Sequence, residues 1–268
     1  MLVSPMRPRA LIVAALLLSI SLSFGTKAAL PSPRLSGFDQ MSPAVQALQR
    51  DDAQNPAMLW VKGGEAAWRE VPPASNGISQ KSCEGCHGDA AKTMRGVSAQ
   101  YPRYSEPAKK PLTLAQQINV CRVERQQQTV LSNENEKMLQ LLSYVGLQSR
   151  GMPVVPSTDE RVGPFQARGE SIFKRRIGQL DLSCAHCHDE RSGLKLGGSI
   201  IPQGHANAYP IYRLEWQGVG SLQRRLRNCM VGVRAQPFAE QAIEWTELEL
   251  YLNVRAAGMA VETPGVRP

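Results

Sequence analysis

The pentapeptide Cys83-Glu84-Gly85-Cys86-His87, matched in type by Cys184-Ala185-His186-Cys187-His188, constrains this chain more than any other feature. C-x-x-C-H is the attachment pattern of c-type haem. Two thiols at that spacing add across the vinyl groups of one porphyrin, and the adjacent histidine faces the iron from the same side. Cys83, Cys86, Cys184 and Cys187 are therefore the expected attachment residues, and His87 and His188 the expected axial ligands, of two covalently bound haems c. One match is compatible with chance or with half of a zinc site; two in one chain make haem the stronger reading.

The motifs anchor a repeat that extends well beyond them. Cys83, Cys86 and His87 return at an offset of 101 as Cys184, Cys187 and His188. Tyr101-Pro102, Tyr104, Leu114 and Cys121 return at an offset of 108 as Tyr209-Pro210, Tyr212, Leu222 and Cys229, and Tyr144 and Gly151-Met152 return at 107 as Tyr251 and Gly258-Met259. Such self-similarity marks an internal duplication whose small offset changes are loop insertions. The expected fold is mainly α, with two tandem c-type cytochrome domains and long irregular loops. The expected boundaries are 1–28 for a leader, 29–155 for the first domain with an N-terminal extension, and 156–268 for the second, which carries the active site. The proline-rich stretch 152–164 reads as the linker. Asn76-Gly77 ends a loop before the first motif. Phe165, Ala167, Ile172, Phe173 and Ile177 have helical spacing before the second. Apolar stripes run through Met138–Val145 and Ile243–Leu252 as core-facing helices. Residues 193–210 read as a loop around the second haem.

The leader rests on Arg7 and Arg9, an apolar stretch from Ala10 to Phe24, and small residues at Ala28 and Ala29. That is a secretory layout, too short for the roughly 20 residues that span a bilayer. The expectation is a periplasmic protein with no membrane span in the mature chain. Losing Arg7, Arg9 and Lys27 lowers 31 basic residues to 28 against 23 acidic, and haem propionates offset much of the remainder. No nucleic-acid partner is expected from so modest a surplus.

Each iron needs a sixth ligand or an open position. Met138, Met152, Met230, Met259 and His205 are available, as are the two cysteines that attachment leaves over. Cys121 and Cys229 lie 34 and 41 residues after their own histidines, at equivalent places in the repeat. A Cys121–Cys229 disulfide is the alternative that export favours. A residue recurring beside each haem most simply serves each haem, so thiolate ligation by Cys121 and Cys229 is the working reading, and it implies low reduction potentials.

The halves differ around these cysteines. Gln116-Gln117-Ile118-Asn119-Val120 precedes Cys121, whereas Arg224-Arg225-Leu226-Arg227-Asn228 precedes Cys229. On a helix Arg225 lies one turn before Cys229 and on the same face. It is the candidate to offer a fork of donors to an anion reacting at the Cys229 sulfur, with Arg224 and Arg227 as a solvated basic face. The first haem is expected to lack nearby arginines.

Two C-x-x-C-H motifs, an additional cysteine in each half and Arg225-x-x-x-Cys229 resemble the SoxA family of sulfur-oxidation cytochromes over nearly all of the mature chain. The resemblance implies an L-cysteine S-thiosulfotransferase working as a heterodimer with a SoxX-type cytochrome. It would couple thiosulfate oxidatively to a cysteine of a SoxYZ-type sulfur carrier and pass two electrons to a cytochrome c acceptor. Cys229 then corresponds to the catalytic cysteine, a haem ligand able to carry an extra sulfur as a persulfide. Arg225 corresponds to the arginine beside it, and Cys121 to the ligand of the first haem. Competing readings are a thiosulfate dehydrogenase forming tetrathionate, a plain diheme electron carrier, and a diheme peroxidase, which would need an open iron position. Mass spectrometry of the denatured mature protein should find two haems and no disulfide. A one-haem mass excess, or a linked Cys121–Cys229 peptide pair, would overturn the assignment.

Overall fold

Serine and threonine caps open the helices on which both motifs and both additional cysteines sit. The computed structural model describes Met1, residues 33–74 and residues 80–268. The rest of the expected leader and the Asn76-Gly77 turn lie outside the described residues. Helices α1 (Pro43–Arg50) and α2 (Met58–Arg69) precede the first motif, which forms α3 (Cys83–His87) and is followed by α4 (Ala90–Thr93). A hairpin of β1 (Arg103–Ser105) and β2 (Lys110–Leu112) leads into α5 (Leu114–Gln126) and then α6 (Glu136–Leu147). The second half follows the same order. It has α7 (Gly163–Lys174), the motif helix α8 (Cys184–His188), a small hairpin of β3 (Lys195–Leu196) and β4 (Ser199–Ile200), a second hairpin of β5 (Ile211–Arg213) and β6 (Gly218–Gly220), then α9 (Leu222–Gly232) and α10 (Ile243–Arg255). Strand β7 (Gly265–Arg267) joins β5 in parallel, pairing Ile211 with Gly265 and Arg213 with Arg267.

In each half the helix before the motif crosses the last helix at a glycine. A Cβ on Gly64 of α2 would stand 2.0 Å from the Gln140 carbonyl oxygen of α6, and one on Gly169 of α7 would stand 1.9 Å from that of Glu247 on α10. Only a hydrogen side chain permits backbones to approach so closely. One turn further on, Trp68 packs on Tyr144 and on His87 at ring-centroid distances of 6.1 and 5.7 Å, while Phe173 packs on Tyr251 and His188 at 5.2 and 6.5 Å. The repeat thus reproduces a helix crossing, an aromatic pair and the motif histidine against it. The Tyr101-Pro102 and Tyr209-Pro210 bonds are both cis.

Residues 34–268 form one compact unit. Val154 and Ala99 pack with Ala256 and Val261 across the repeat boundary, and Ala57 and Leu139 pack with Val219. The proline-rich stretch therefore connects the halves without behaving as a free tether. Val154 is buried, its N–H donates to the Met259 carbonyl, and the Val155 N–H donates to that of Ala99. Prolines removed donors from this segment, but the valines between them kept theirs. Helix α7 ends at Lys174, short of Ile177, which instead bridges Leu182. Residues 193–210 are mostly irregular but carry the β3–β4 hairpin. Among the described residues no helix is long and apolar enough to cross a membrane.

Gly64→Ala and Gly169→Ala should each lower stability by about 1–3 kcal/mol through overpacking, despite alanine's better helix propensity. Gly163→Ala, where an added Cβ meets open space, is the control and should be near neutral in the same thermal melts.

Candidate functional site

Each motif occupies a single helical turn because Ser82 and Ser183 cap it. Their hydroxyls accept from the N–H groups of Gly85 and His186. The turn puts both cysteines and the histidine at i, i+3 and i+4, on one face. Beside the first motif lies a cavity of about 330 Å³ walled by α2, α5 and α6. Cys83, Cys86 and His87 line one part of it, Cys121 another, and Met94, Val97, Leu141 and Val145 supply apolar surface. Burial pushes the Cys83 thiol above its ordinary range, with Cys121 and Cys86 adding to the effect. A buried neutral thiol is a poor metal ligand but a suitable precursor of an uncharged thioether. Among the described residues no three His, Cys, Asp or Glu side chains converge as a metal-binding group.

The second site has the same plan. The His188 ring packs on Phe173, and its Nδ1 lies 2.7 Å from the Pro202 carbonyl oxygen. A carbonyl only accepts, so Nδ1 carries the proton and Nε2 keeps its lone pair for iron. Gly204 fits against the Nδ1 edge of this ring, where a Cβ would stand 3.0 Å from Cγ. Burial pushes Cys184 up to about 11, with Cys229 the next contributor, so the two sulfurs share one site. Phe173, Leu248 and Leu252 form its apolar wall, with Leu222 and Leu226 of α9 packed against them. Both sites therefore fit a thioether-linked haem.

The six cysteines are all free, so Cys121 and Cys229 are not joined. Two of the four methionines weighed as ligands have other surroundings. Met138 is fully buried with Ala115 and Leu142, and Met259 packs with Ala99 and Val154. His205 sits beside the loop that covers the Nδ1 edge of His188, its Nε2 3.1 Å from Gln203 Oε1. Burial lowers His205 to about 4, with Arg255 and Arg34 acting in the same direction.

Arg225 and Cys229 share α9 and lie one turn apart. In the first half the equivalent residue, Gln117, directs Nε2 to Cys121 Sγ at 3.8 Å, so a side chain at this position reaches the sulfur. Tyr209 and Arg213 each feel both Arg225 and Cys229. Burial raises the Tyr209 phenol, and burial followed by the Arg225 charge lowers Arg213. Arg213 was not singled out from the sequence; its signal was the Ser105-to-Arg213 change at the repeat offset of 108. Its Nε is held by Glu215 at 3.1 Å and the Pro268 main-chain oxygen at 3.0 Å. Arg224 turns elsewhere, with its guanidinium 4.2 Å from the Trp216 ring centroid and 3.7 Å from Glu134, while Arg227 is exposed. The first site is not free of arginines as expected. Arg122 and Arg125, which follow Cys121 on α5, line its cavity. Arg122 is engaged there by the Thr129 carbonyl at 3.2 Å.

The family model described as SoxA/TsdA, cytochrome c domain, matches residues 63–154 and again 168–261. The SoxA subunits of the L-cysteine S-thiosulfotransferases of Pseudaminobacter salicylatoxidans and Rhodovulum sulfidophilum are each 36% identical to this chain. These alignments span 87% of this chain in both cases, and 80% and 79% of the relatives. The SoxA subunit of Paracoccus pantotrophus is 34% identical over 87% of this chain and 78% of its own. The crystal structure of SoxXA from P. pantotrophus superposes with a TM-score of 0.82 at 33% identity, covering 88% of this chain and 87% of that one. Both repeats, both motifs and the sites built on them lie within these matches, and the chain belongs to the SoxA/TsdA cytochrome c family, as a member of its SoxA branch.

Proposed function

We propose that this chain is the catalytic subunit of an L-cysteine S-thiosulfotransferase, joining thiosulfate to a carrier cysteine at Cys229. The observation that carries the reading is Arg225 one helical turn from Cys229, at the position whose counterpart Gln117 reaches the Cys121 sulfur. In this reading residues 1–28 are a leader to the periplasm, and 29–155 and 156–268 are cytochrome units. Two haems c are attached at Cys83 and Cys86 and at Cys184 and Cys187. His87 with Cys121, and His188 with Cys229, would hold the two irons. The partner is a SoxX-type cytochrome subunit, the thiol donor a SoxYZ-type carrier, and the electron sink a cytochrome c.

Bound haem supplies a one-electron acceptor beside the reacting sulfur. Arg225 holds the thiosulfate sulfonate through two charge-assisted hydrogen bonds and turns the sulfane sulfur towards Cys229. Arg213, repelled by Arg225 and fixed by Glu215 and Pro268, adds positive field to the same space. Cys229 carries the transferred sulfur, as a persulfide when an extra sulfur is present. The net change forms one sulfur–sulfur bond between the sulfane sulfur and the carrier thiol, with loss of one thiol proton and two electrons.

Losing a charge-assisted contact of this kind costs about 1.5–3 kcal/mol, or on the order of ten- to a hundredfold in rate if made in the transition state. Arg225→Ala should show that loss in thiosulfate-dependent cytochrome reduction with partner and carrier present. Arg225→Lys should recover little, since an ammonium lacks the fork. Arg224→Ala and Arg227→Ala are controls. If Arg225→Ala stays within twofold of them, the anion site is wrong; tetrathionate formed without any carrier thiol would instead favour the dehydrogenase reading.

Replacing Cys229 should abolish turnover, whereas replacing Cys121 should alter the spectrum of the first haem and leave residual activity. Equal losses from both would remove the proposed division between the halves.

A further inference from the structure

Between the two repeats lies a second cavity, of about 150 Å³, that neither motif lines. It has room for several water molecules. Its mixed wall carries polar side chains from both halves, Tyr101, Gln116 and Asn119 from the first and Tyr209, Glu249 and Asn253 from the second. Leu142 and Glu249 both line it, and they are equivalent at the repeat offset of 107. Where one half places a leucine, the other places a carboxylate.

Glu249 is half-buried on α10 and lines this cavity. Among the described residues none hydrogen-bonds or ion-pairs with its carboxylate. The other titratable groups lining the cavity are the phenols of Tyr101 and Tyr209, each raised by burial, and the carboxylate of Glu240. Helices α5 and α9 contribute Gln116, Asn119 and Gln223 there, all neutral, and the two cations of α7, Arg168 and Lys174, are paired with Glu247 and Glu170. A half-buried carboxylate without a partner is costly, and a leucine would fill this place more cheaply.

The cavity borders both cofactor sites. Tyr101 and Leu114 line it and the first site's cavity alike. Leu222 and Leu226 line it and pack into the second site's apolar wall. We propose that Glu249 and this cavity form a redox-linked proton site, which binds a proton when the haem-loaded chain is reduced and releases it on reoxidation. The inference rests on the proposed haem occupancy of both motifs. Each cycle places one electron from thiosulfate oxidation on the chain and one proton from solvent on a Glu249 carboxylate oxygen. Both leave when the cytochrome acceptor removes the electron. Added negative charge in a poorly solvated interior favours the neutral acid, which sets the direction. Burial alone pushes Glu249 up to about 7, so the site is poised near neutral pH.

The test is spectroelectrochemical titration of the haem-loaded protein across neutral pH, for wild type, Glu249→Gln and Glu249→Leu, the last reproducing Leu142. Wild-type potentials should fall as pH rises through neutrality, by up to about a tenfold change in the reduction equilibrium per pH unit. Both variants should lose that dependence. Infrared difference spectra should gain a protonated-carboxyl band on reduction that Glu249→Gln lacks. An unchanged pH slope in the variants, or a flat wild type with full haem content, overturns the proton site alone. A chain without haem at either motif overturns the reading beneath it as well.

Discussion

The contact on which the rest depends is the glycine crossing of α2 on α6 and of α7 on α10. At Gly64 and Gly169 the backbones approach to a distance that any side chain would forbid. That closeness brings Trp68 and Phe173 onto Tyr144 and Tyr251, and the same aromatic rings back the two motif histidines. With the crossing fixed, α5 and α9 are left to close the opposite side of each site, carrying Cys121 and Cys229. A chain of close-packed contacts therefore runs from a missing methyl group to the orientation of a motif histidine.

Upon this shared frame the two halves diverged by a few charge changes. Gln117 corresponds to Arg225, Ser105 to Arg213, and Leu142 to Glu249. The first two gather guanidinium groups near Cys229, and the third puts a carboxylate into the seam between repeats. None of these positions is one of the crossing glycines or the aromatic residues packed beside them. Duplication thus separated the residues that build a site from those that make one site differ from its twin.

Much of this was legible in the chain because spacing encodes it. The motifs, the repeat offsets and the apolar stripes of α6 and α10 are periodic, and the mainly helical, two-repeat architecture follows from them. The helical relation of Arg225 to Cys229 was legible for the same reason. Arg213 was not, because it reaches α9 from a strand and is positioned by Glu215 and Pro268. The arginines of the first site were missed because α5 continues past Cys121. The short hairpins left no alternating pattern, their strands being two or three residues long. The packing of Val154 into the seam depends on contacts with Ala99, Ala256 and Val261 that no local pattern reports.

Strand β7 lies far along the chain from either motif, yet it completes the sheet on which Arg213 stands. Val266 is wholly buried, Gln49 of α1 accepts from its N–H, and the Pro268 main-chain oxygen holds Arg213. Residues 265–268 thus act as a buttress for Arg213, tied at their other side to α1. Trimming residues 265–268 works directly on the stiffness of Arg213 while leaving both C-x-x-C-H motifs intact.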